Sequence, residues 1–566
     1  MSAVHCYQAV GGYAFLQLPH FMQAKARPAT RVADLPLAPI CSSSINYAAV
    51  LQLMKEISFP MLPRLSHMYS VLSTRSAFVE FLGGHPPPPD PGRPSSLRPQ
   101  RLQEAVRYGV LRPCTRSNPP RTFHSAFPVM KSDGATSRLI INTHSVNVLV
   151  TPWPCLLPDI IKVIQTILTW HWSIFDDAKS CFYQFPLGPS VQTFFGVRQG
   201  GFKGMCQKLP QGFSPAPSIA QLTGYGLSYG IAADVPDPMV IWIDNYGAGG
   251  LTKEGVLRTS TEFRRRCRSV NLVLKEPLGQ PAQVFTALGL QFNLIQHKYR
   301  PEPIWADRAS TLLHEFHLEA SRHWAPPLRL SWTIIGTILW WCYVTHRALG
   351  EHCWHIIDFM RQKSAEISWE STHCIPTPFL QELGALLPAF KANDFQAAPE
   401  ATSFLDQDTY ASWLATDASS HAGAALSWDC FSRVVLAQWW QFPEHTRLSR
   451  NMPLKEGLAL LRAIQDPAPL PSPILWLGDC LPFIQAYRRR YSPNPDINQL
   501  VTTIRRIART KGYDLTGLWI DTLLMQWAAD PFSRRMDSLP FFHPIPLSFP
   551  APQLRLAVRQ RITAMQ

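Results

Sequence analysis

Two carboxylate positions in the first half of the chain stand where strand-like runs end. Asp176 and Asp177 close SIFDD, and Asp244 closes VIWID, 67 residues further on. Two carboxylates on neighbouring strands can hold a pair of Mg2+ ions. Such a pair lowers the pKa of an attacking hydroxyl and clamps the leaving oxygen in phosphoryl transfer. Oxygen ligands of this kind are what Mg2+ requires. A lone Asp at a strand end is more often a turn cap, so the pair gains weight only from its neighbours. Four further acids lie in the C-terminal part: Asp417 in WLATDASSHAGAALSW, Glu456 in MPLKEGLALLRAI, Asp479 in ILWLGDCLPFIQAY and Asp530 in QWAADPFSRR. Four acids converging on one sheet edge would repel one another unless metals neutralised them. Two-metal hydrolysis of a phosphodiester is the chemistry that suits them.

The elements that must position these acids follow from apolar patterning. Ser137–Asn142 and residues 239–244 read as buried strands, and residues 307–322 and 331–362 as helices. Strand-like runs recur at 412–416 and 474–477, with helical stretches at 454–464 and 497–511. Asp417 is followed by small residues, as a tight hairpin requires. Residues 83–99 (GGHPPPPDPGRPSSLRP) read as a stiff linker or extended arm. The tail after residue 540 is proline-rich and reads as irregular. The division expected is 1–82 without a readable motif, 83–100 linker, 101–300 first globular region, 301–404 helical, 405–540 second globular region and 541–566 tail.

Taken in order, the motifs of the first region resemble reverse transcriptases. FPVMKSDGATSRLIINTHSVN resembles the fingers segment, with Lys131 and Arg138 as the two cations that grip the triphosphate across an SDGATS turn. FDDAKSCFYQFPL resembles the first catalytic motif, with Asp177 at the metal-binding position. Asp176 then takes a position usually apolar and is assigned no ligand role. Phe182 falls where the family places an aromatic steric gate against the ribose 2′-OH. LPQGFSPAP supplies Gln211, which would touch template or incoming nucleotide. WIDN places Asp244 at the second metal position. LVLKEPLG supplies Lys275 as candidate general acid for pyrophosphate, and FTALGLQF resembles the primer grip. The family's second Asp of that pair is Asn245 here, which brings no charge.

The second region resembles ribonuclease H: TDASSHAGAAL and ADPFSRR match its opening and closing motifs in retroelement polyproteins. The resemblance implies that Asp417, Glu456, Asp479 and Asp530 hold the metals that cut the RNA strand of a hybrid, giving 3′-OH and 5′-phosphate products. Residues 481–512 hold seven cations (Arg488, Arg489, Arg490, Arg505, Arg506, Arg509, Lys511) against one acid, Asp496. Such a face either holds the hybrid's phosphates or is a solvated helix surface. RRRCR at 264–268 reads as solvated surface ahead of a phosphate contact or an import signal. The segment from GDCLPFIQAYRRR to ADPFSRR is most similar to the ribonuclease H of tyrosine-recombinase retrotransposons, the DIRS and VIPER-like group.

The resemblance implies an α+β right-hand polymerase, with fingers, an antiparallel palm sheet and a helical thumb or connection. A mixed α/β ribonuclease H-like domain would follow. It implies two Mg2+ per active site, with Mn2+ as a substitute. The partners would be RNA template, DNA primer, RNA–DNA hybrid and dNTPs, and a recombinase or capsid-like protein of the same element. The alternative is a decayed or adopted element that binds nucleic acid without polymerising, for which Asn245 is the best support.

Composition agrees with a nucleic-acid partner. Lys and Arg number 53 against 39 Asp and Glu, a formal net charge of +14, and a long basic chain suits a polyanion. Hydrophobic residues reach 46%, enough for buried cores, which argues against a largely disordered chain. The 12 cysteines are scattered with no CxxC, against a zinc ribbon or a disulfide scaffold. His352, Cys353 and His355 read as a buried Cys between surface histidines. The most apolar run, residues 334–344, is too short to span a membrane. An intracellular protein, cytoplasmic or nuclear, is expected.

Overall fold

The computed structural model describes residues 35–565. Left out within that span are 86, 88–97, 116–118, 132–134, 151–156, 200, 276, 323–324, 348, 364–370, 398–408, 431, 433, 466–469, 527, 531–532, 534–542 and 545–549. Most of the expected linker, the tip of the SDGATS turn and part of the tail therefore lie outside the described residues. The chain divides into two compact units, one of residues 1–312 and 389–399, the other of 313–388 and 400–566. The division falls inside the helical stretch expected to be one element of organisation.

Among the described residues the first unit is mixed α/β with three sheets. Its strands are β1 (Leu111–Pro113), β2 (Phe123–Met130), β3 (Ser137–Asn142), β4 (Trp172–Asp177), β5 (Gly196–Gln199), β6 (Phe202–Cys206), β7 (Met239–Trp242), β8 (Asn245–Gly250), β9 (Val284–Ala287), β10 (Leu290–Asn293), β11 (Lys298–Pro301) and β12 (Gln396–Ala397). They pair in the orders β1-β6-β5-β2-β3, β4-β8-β7 and β12-β11-β10-β9. The three-stranded sheet is antiparallel throughout. Helix Lys253–Ser269 packs on β4 and β8, and the deeply buried helix Ala216–Ser228 packs beside β7. Close approach demands glycine here: a Cβ on Gly249 would lie 1.8 Å from the Trp170 ring.

The second unit contains a six-stranded mixed sheet. β13 (Ser412–Ala418), β14 (Ala422–Asp429) and β15 (Val435–Gln441) form an antiparallel meander. β16 (Ile474–Gly478) and β17 (Leu515–Trp519) add in parallel beside β13, and β18 (His543–Pro544) edges β15. Alternate strand residues feed two cores. Leu414, Ile474 and Trp476 pack with helices Met452–Gln465 and Pro495–Thr510, whereas Trp413, Leu475 and Leu518 pack with Leu554, Val558 and Ile562.

That second core corrects the reading of the tail. Pro552–Met565 is a helix, not irregular, and it buries Leu554, Val558 and Ile562 at four-residue spacing. Arg555 and Arg561 lie over the Trp428 and Trp519 rings. The expected helix 331–362 is also interrupted. Leu328–Val344 ends where His346 takes a left-handed φ of 54°, and the chain resumes at Leu349–His352 and Trp354–Lys363. Residues 334–344 do form a largely buried helical segment, and Cys353 is buried with its Sγ 3.4 Å from that of Cys342. Among the described residues no helix is long and apolar enough to cross a membrane.

Candidate active sites

In the first unit the acids meet at one end of the three-stranded sheet. Asp177 is the last residue of β4 and stands opposite Asn245, the first of β8. Asp244 occupies the two-residue turn between β7 and β8, and its carbonyl accepts a 2.7 Å hydrogen bond from Ala178 N–H. The Asp244 carboxyl is pushed up to about 6, first by burial and then by the Asp177 charge. Arg138 and Lys275 act in the opposite sense. Four residues picked from separate motifs thus share one electrostatic neighbourhood. Lys275 Nζ pairs with Asp177 Oδ2 at 3.1 Å, both partly exposed. The thiol of Cys181 is pushed well up by burial, with Asp244 and Asp177 adding to it.

Ile243, just before Asp244, has φ 57°. A β-branched residue in the left-handed region is strained, by about 1–3 kcal/mol, and persists only when its surroundings hold it. Gln221 does the holding. Its fully buried side chain donates to Ile241 O at 2.8 Å and accepts from Ile243 N–H at 2.6 Å. Sequence reasoning missed this residue, because a Gln inside an apolar helix announces no partner.

The flanking candidates fall as follows. Arg138 lies on β3, opposite Val129, and Lys131 follows β2, its N–H bonded to Thr136 O at 2.9 Å. Both therefore sit at the β2–β3 hairpin end. Gln211 O accepts from Ile141 N–H at 2.9 Å, which fixes the LPQG loop against β3, and Gln211 Oε1 is buried with no hydrogen-bond partner among the described residues. Phe182 is 5% exposed and packs in the main core of the unit. Asp176 points to the opposite side of β4 from Asp177. It is buried in a two-bond ion pair with Arg264, one arm at 3.0 Å. The RRRCR reading is corrected accordingly. Arg264 and Arg266 are buried, the latter bonded to Glu262 at 2.9 Å and Tyr229 O at 2.6 Å, while Arg265 and Arg268 are exposed. A helix lying on a sheet must turn some of any five consecutive residues inward.

In the second unit Asp417 on β13, Glu456 on helix Met452–Gln465 and Asp479 just after β16 bring carboxylate oxygens within 4.8 Å of one another. Asp417 and Glu456 are buried. Glu456 is held well above the usual carboxylate range by burial, then by Asp417 and Asp479, and Asp530 adds to the effect. The fourth acid therefore stands near the other three. Three of the four carboxylates are each oriented by a donor: Ala418 N–H to Glu456 at 3.3 Å, Thr522 Oγ1 to Asp479 at 2.8 Å, and Ser533 Oγ to Asp417 Oδ2. Such an all-oxygen, mutually repelling set is the environment a divalent cation relieves. The acidic triad could bind metal.

The seven cations at 481–512 divide. Arg490 donates to His346 O at 3.0 Å and Arg505 lies over the Tyr487 ring, whereas Arg488, Arg489, Arg506, Arg509 and Lys511 are exposed.

No protein-family model matches the chain, and no curated protein matches it. Solved structures of foamy viral protease-reverse transcriptase are similar to it at low identity. The complex with dsDNA is 14% identical, spans 77% of this chain and 86% of its own, and gives a TM-score of 0.42. The dRH form with ds DNA is also 14% identical, over 89% of this chain and 86% of its own, at 0.41. The complex with RNA/DNA hybrid is 13% identical, over 81% of this chain and 57% of its own, at 0.43.

Proposed function

We propose that the chain is an RNA-directed DNA polymerase joined to a ribonuclease H of a retroelement, nearest in motif to the DIRS and VIPER-like group. The first unit would supply fingers and palm, and the second the nuclease. One observation carries the reading: each unit, taken by itself, gathers acids that lie far apart in sequence into one site. The acids gathered are those the motifs name.

Asp177 and Asp244 would hold Mg2+ in the palm, and Asp417, Glu456, Asp479 and Asp530 would hold it in the nuclease, with Mn2+ as a substitute. When bound, the cation supplies activation of the attacking oxygen and offsets charge on the leaving one. The remaining work belongs to the side chains. Lys131 and Arg138 neutralise the dNTP triphosphate at the hairpin end and orient its α-phosphate toward the primer 3′-OH. Gln211 contacts template or base, and Phe182 limits space beside the ribose 2′ position. Lys275 leaves its pairing with Asp177 to protonate pyrophosphate.

Asn245 favours a second reading, in which the palm binds nucleic acid without polymerising and only the nuclease is active. Primer extension on an RNA template with dNTPs and Mg2+ separates the two. The first reading expects product from the wild type, none from Asp177→Ala, and product again from Asp417→Ala. Absence of product, with Asp417-dependent cutting of hybrid RNA, would overturn the polymerase and leave the second reading.

A further inference from the structure

The segment that carries Lys275 meets the segment that carries Asp177 through an isolated β-bridge. Ala178 pairs with Leu274 in antiparallel sense, with Lys275 N–H donating to Asp177 O at 2.7 Å and Lys179 N–H to Val273 O at 3.0 Å. Beyond Asp177 the chain leaves β4, takes a left-handed φ of 54° at Ser180 and makes one tight turn, Cys181–Gln184. That turn brings the Gln184 side chain back onto the bridge, where it is fully buried. Its Nε2 donates to Lys179 O at 2.7 Å and to Val273 O at 2.9 Å, and its Oε1 accepts from Val273 N–H at 2.7 Å.

Both backbone groups of Val273 are thus met by one carboxamide, as a neighbouring strand would meet them. A slip of one residue turns every side chain of an extended segment to the other side, and Lys275 would then leave Asp177. The Lys275–Asp177 ion pair cannot set that register itself. Its side chains are 50% and 38% exposed, and exposed pairs contribute little to stability. Three hydrogen bonds on a buried amide outweigh one screened pair. The segment is braced from its other end as well. Asn46 N–H donates to Val270 O at 2.9 Å, Ser43 Oγ to Asn271 O at 3.1 Å, and Ile45 N–H to Gln184 O at 2.8 Å. Residues 43–46, in the stretch without a readable motif, therefore grip both Gln184 and the start of the Lys275 segment.

We propose that Gln184 is a positioning residue: by locking Val273 to the Asp177 segment it holds the Lys275 ammonium at the Asp177 carboxylate. The catalytic consequence rests on the reading above, in which Lys275 protonates pyrophosphate; the placement of Lys275 does not. Gln184 is enclosed in protein and acts through Lys275. Its loss therefore lowers the rate at saturating dNTP and leaves the dNTP concentration that is needed nearly unchanged.

The test uses the full chain in two arms. In the first, single-nucleotide incorporation on an RNA template with Mg2+ is measured for wild type, Q184M, K275L and the double variant. Q184M should lower the maximal rate about 10- to 100-fold, with the dNTP concentration at half-maximal rate changed less than ~3-fold, and should add less than ~2-fold in the K275L background. Q184E has the same shape and keeps the acceptor for Val273 N–H. Its rate should fall between Q184M and wild type, which guards against a folding defect in Q184M. A wild-type rate in Q184M, or losses that multiply in the double variant, would overturn the inference. The second arm is free of turnover. Lysines are reductively 13C-methylated, and the Lys275 signal is identified with K275R. Its shift should respond to Asp177→Asn in the otherwise native chain and not in Q184M. An equal response in both would overturn the placement even if the palm makes no product. K275L as fast as wild type, with the response lost in Q184M, would overturn the general-acid role and leave Gln184 as the holder of Lys275.

Discussion

Nδ2 of Asn245 lies 3.1 Å from Oδ1 of Asp244 and donates to it. The amide thus stands where the reverse transcriptase pattern has a second acid, and it supports its neighbour instead of repelling it. Asn245→Asp would remove the donor and add a charge beside a carboxyl already raised by burial and by Asp177. Without metal the variant should be less stable, by about 1–2 kcal/mol for an added like charge near the surface. With Mg2+ the added ligand should raise primer extension several-fold. Urea unfolding with and without Mg2+, read beside extension, checks both halves. A variant no better than wild type in Mg2+ would show that the missing carboxylate does not limit synthesis.

The raised Asp244 carboxyl makes a pH prediction with a definite sign. Its folded value of about 6 exceeds the unfolded 3.8, so between those values the native state binds more protons. Stability from this group is present at low pH and is lost as pH rises through about 6. The size is at most about 3 kcal/mol at 1.36 kcal/mol per unit, before solvent screening. Mg2+ favours the ionised form and should reverse the trend. Unfolding at pH 4.5 and 7.5 should show a smaller difference for Asp244→Asn than for wild type. An equal difference in the two proteins would place the pH dependence elsewhere. Glu456 is raised for the same reasons, so some dependence should remain in the variant.

Strand and helix positions in the second unit were legible because apolar patterning and helical spacing are strong there: 412–416, 474–477 and 454–464 fall inside observed elements, and 497–511 runs one residue past the end of its helix. Ser137–Asn142 matched its strand end to end. What sequence could not show was which polar residues turn inward. Arg264 pairs with Asp176 across 88 residues, and Gln221 reaches the Asp244 turn across 22. Neither pairing has a local pattern. The helix Pro552–Met565 escaped because prolines cluster at and before its first residue and its buried face is made of only three residues. The 345–353 break was hidden because apolar spacing resumes in phase beyond it.

The Asp176–Arg264 pair should behave as a buried ion pair. Removing one partner leaves the other charge without compensation, so Arg264→Met should cost about 3–5 kcal/mol. Asp176 occupies a position read from the motif as usually apolar, so Asp176→Leu combined with Arg264→Met should recover most of the loss. A double-mutant cycle in urea supplies the coupling energy. If the double variant were as unstable as the sum of the singles, the pair would be two independent contacts and not a replaceable unit.

Ser533 is fully buried, and its hydroxyl donates to Asp417 Oδ2 across 116 residues of sequence while lying 3.1 Å from Asp530 O. A hydroxyl has one proton, and a charged carboxylate is the stronger acceptor. The bond therefore fixes the rotamer of Asp417 and ties the segment carrying Asp530 to β13. Ser533→Ala should lower hybrid cleavage about 10-fold, and the Mg2+ concentration at half-maximal rate should rise by a similar factor. The metal readout distinguishes orientation of Asp417 from a general loss of packing, which would lower the melting temperature and leave metal dependence unchanged. Calorimetric Mn2+ binding adds a measure free of turnover. Asp417→Asn should abolish it and Ser533→Ala should weaken it. Binding lost in the first and intact in the second would leave the metal site standing and remove Ser533 from its support.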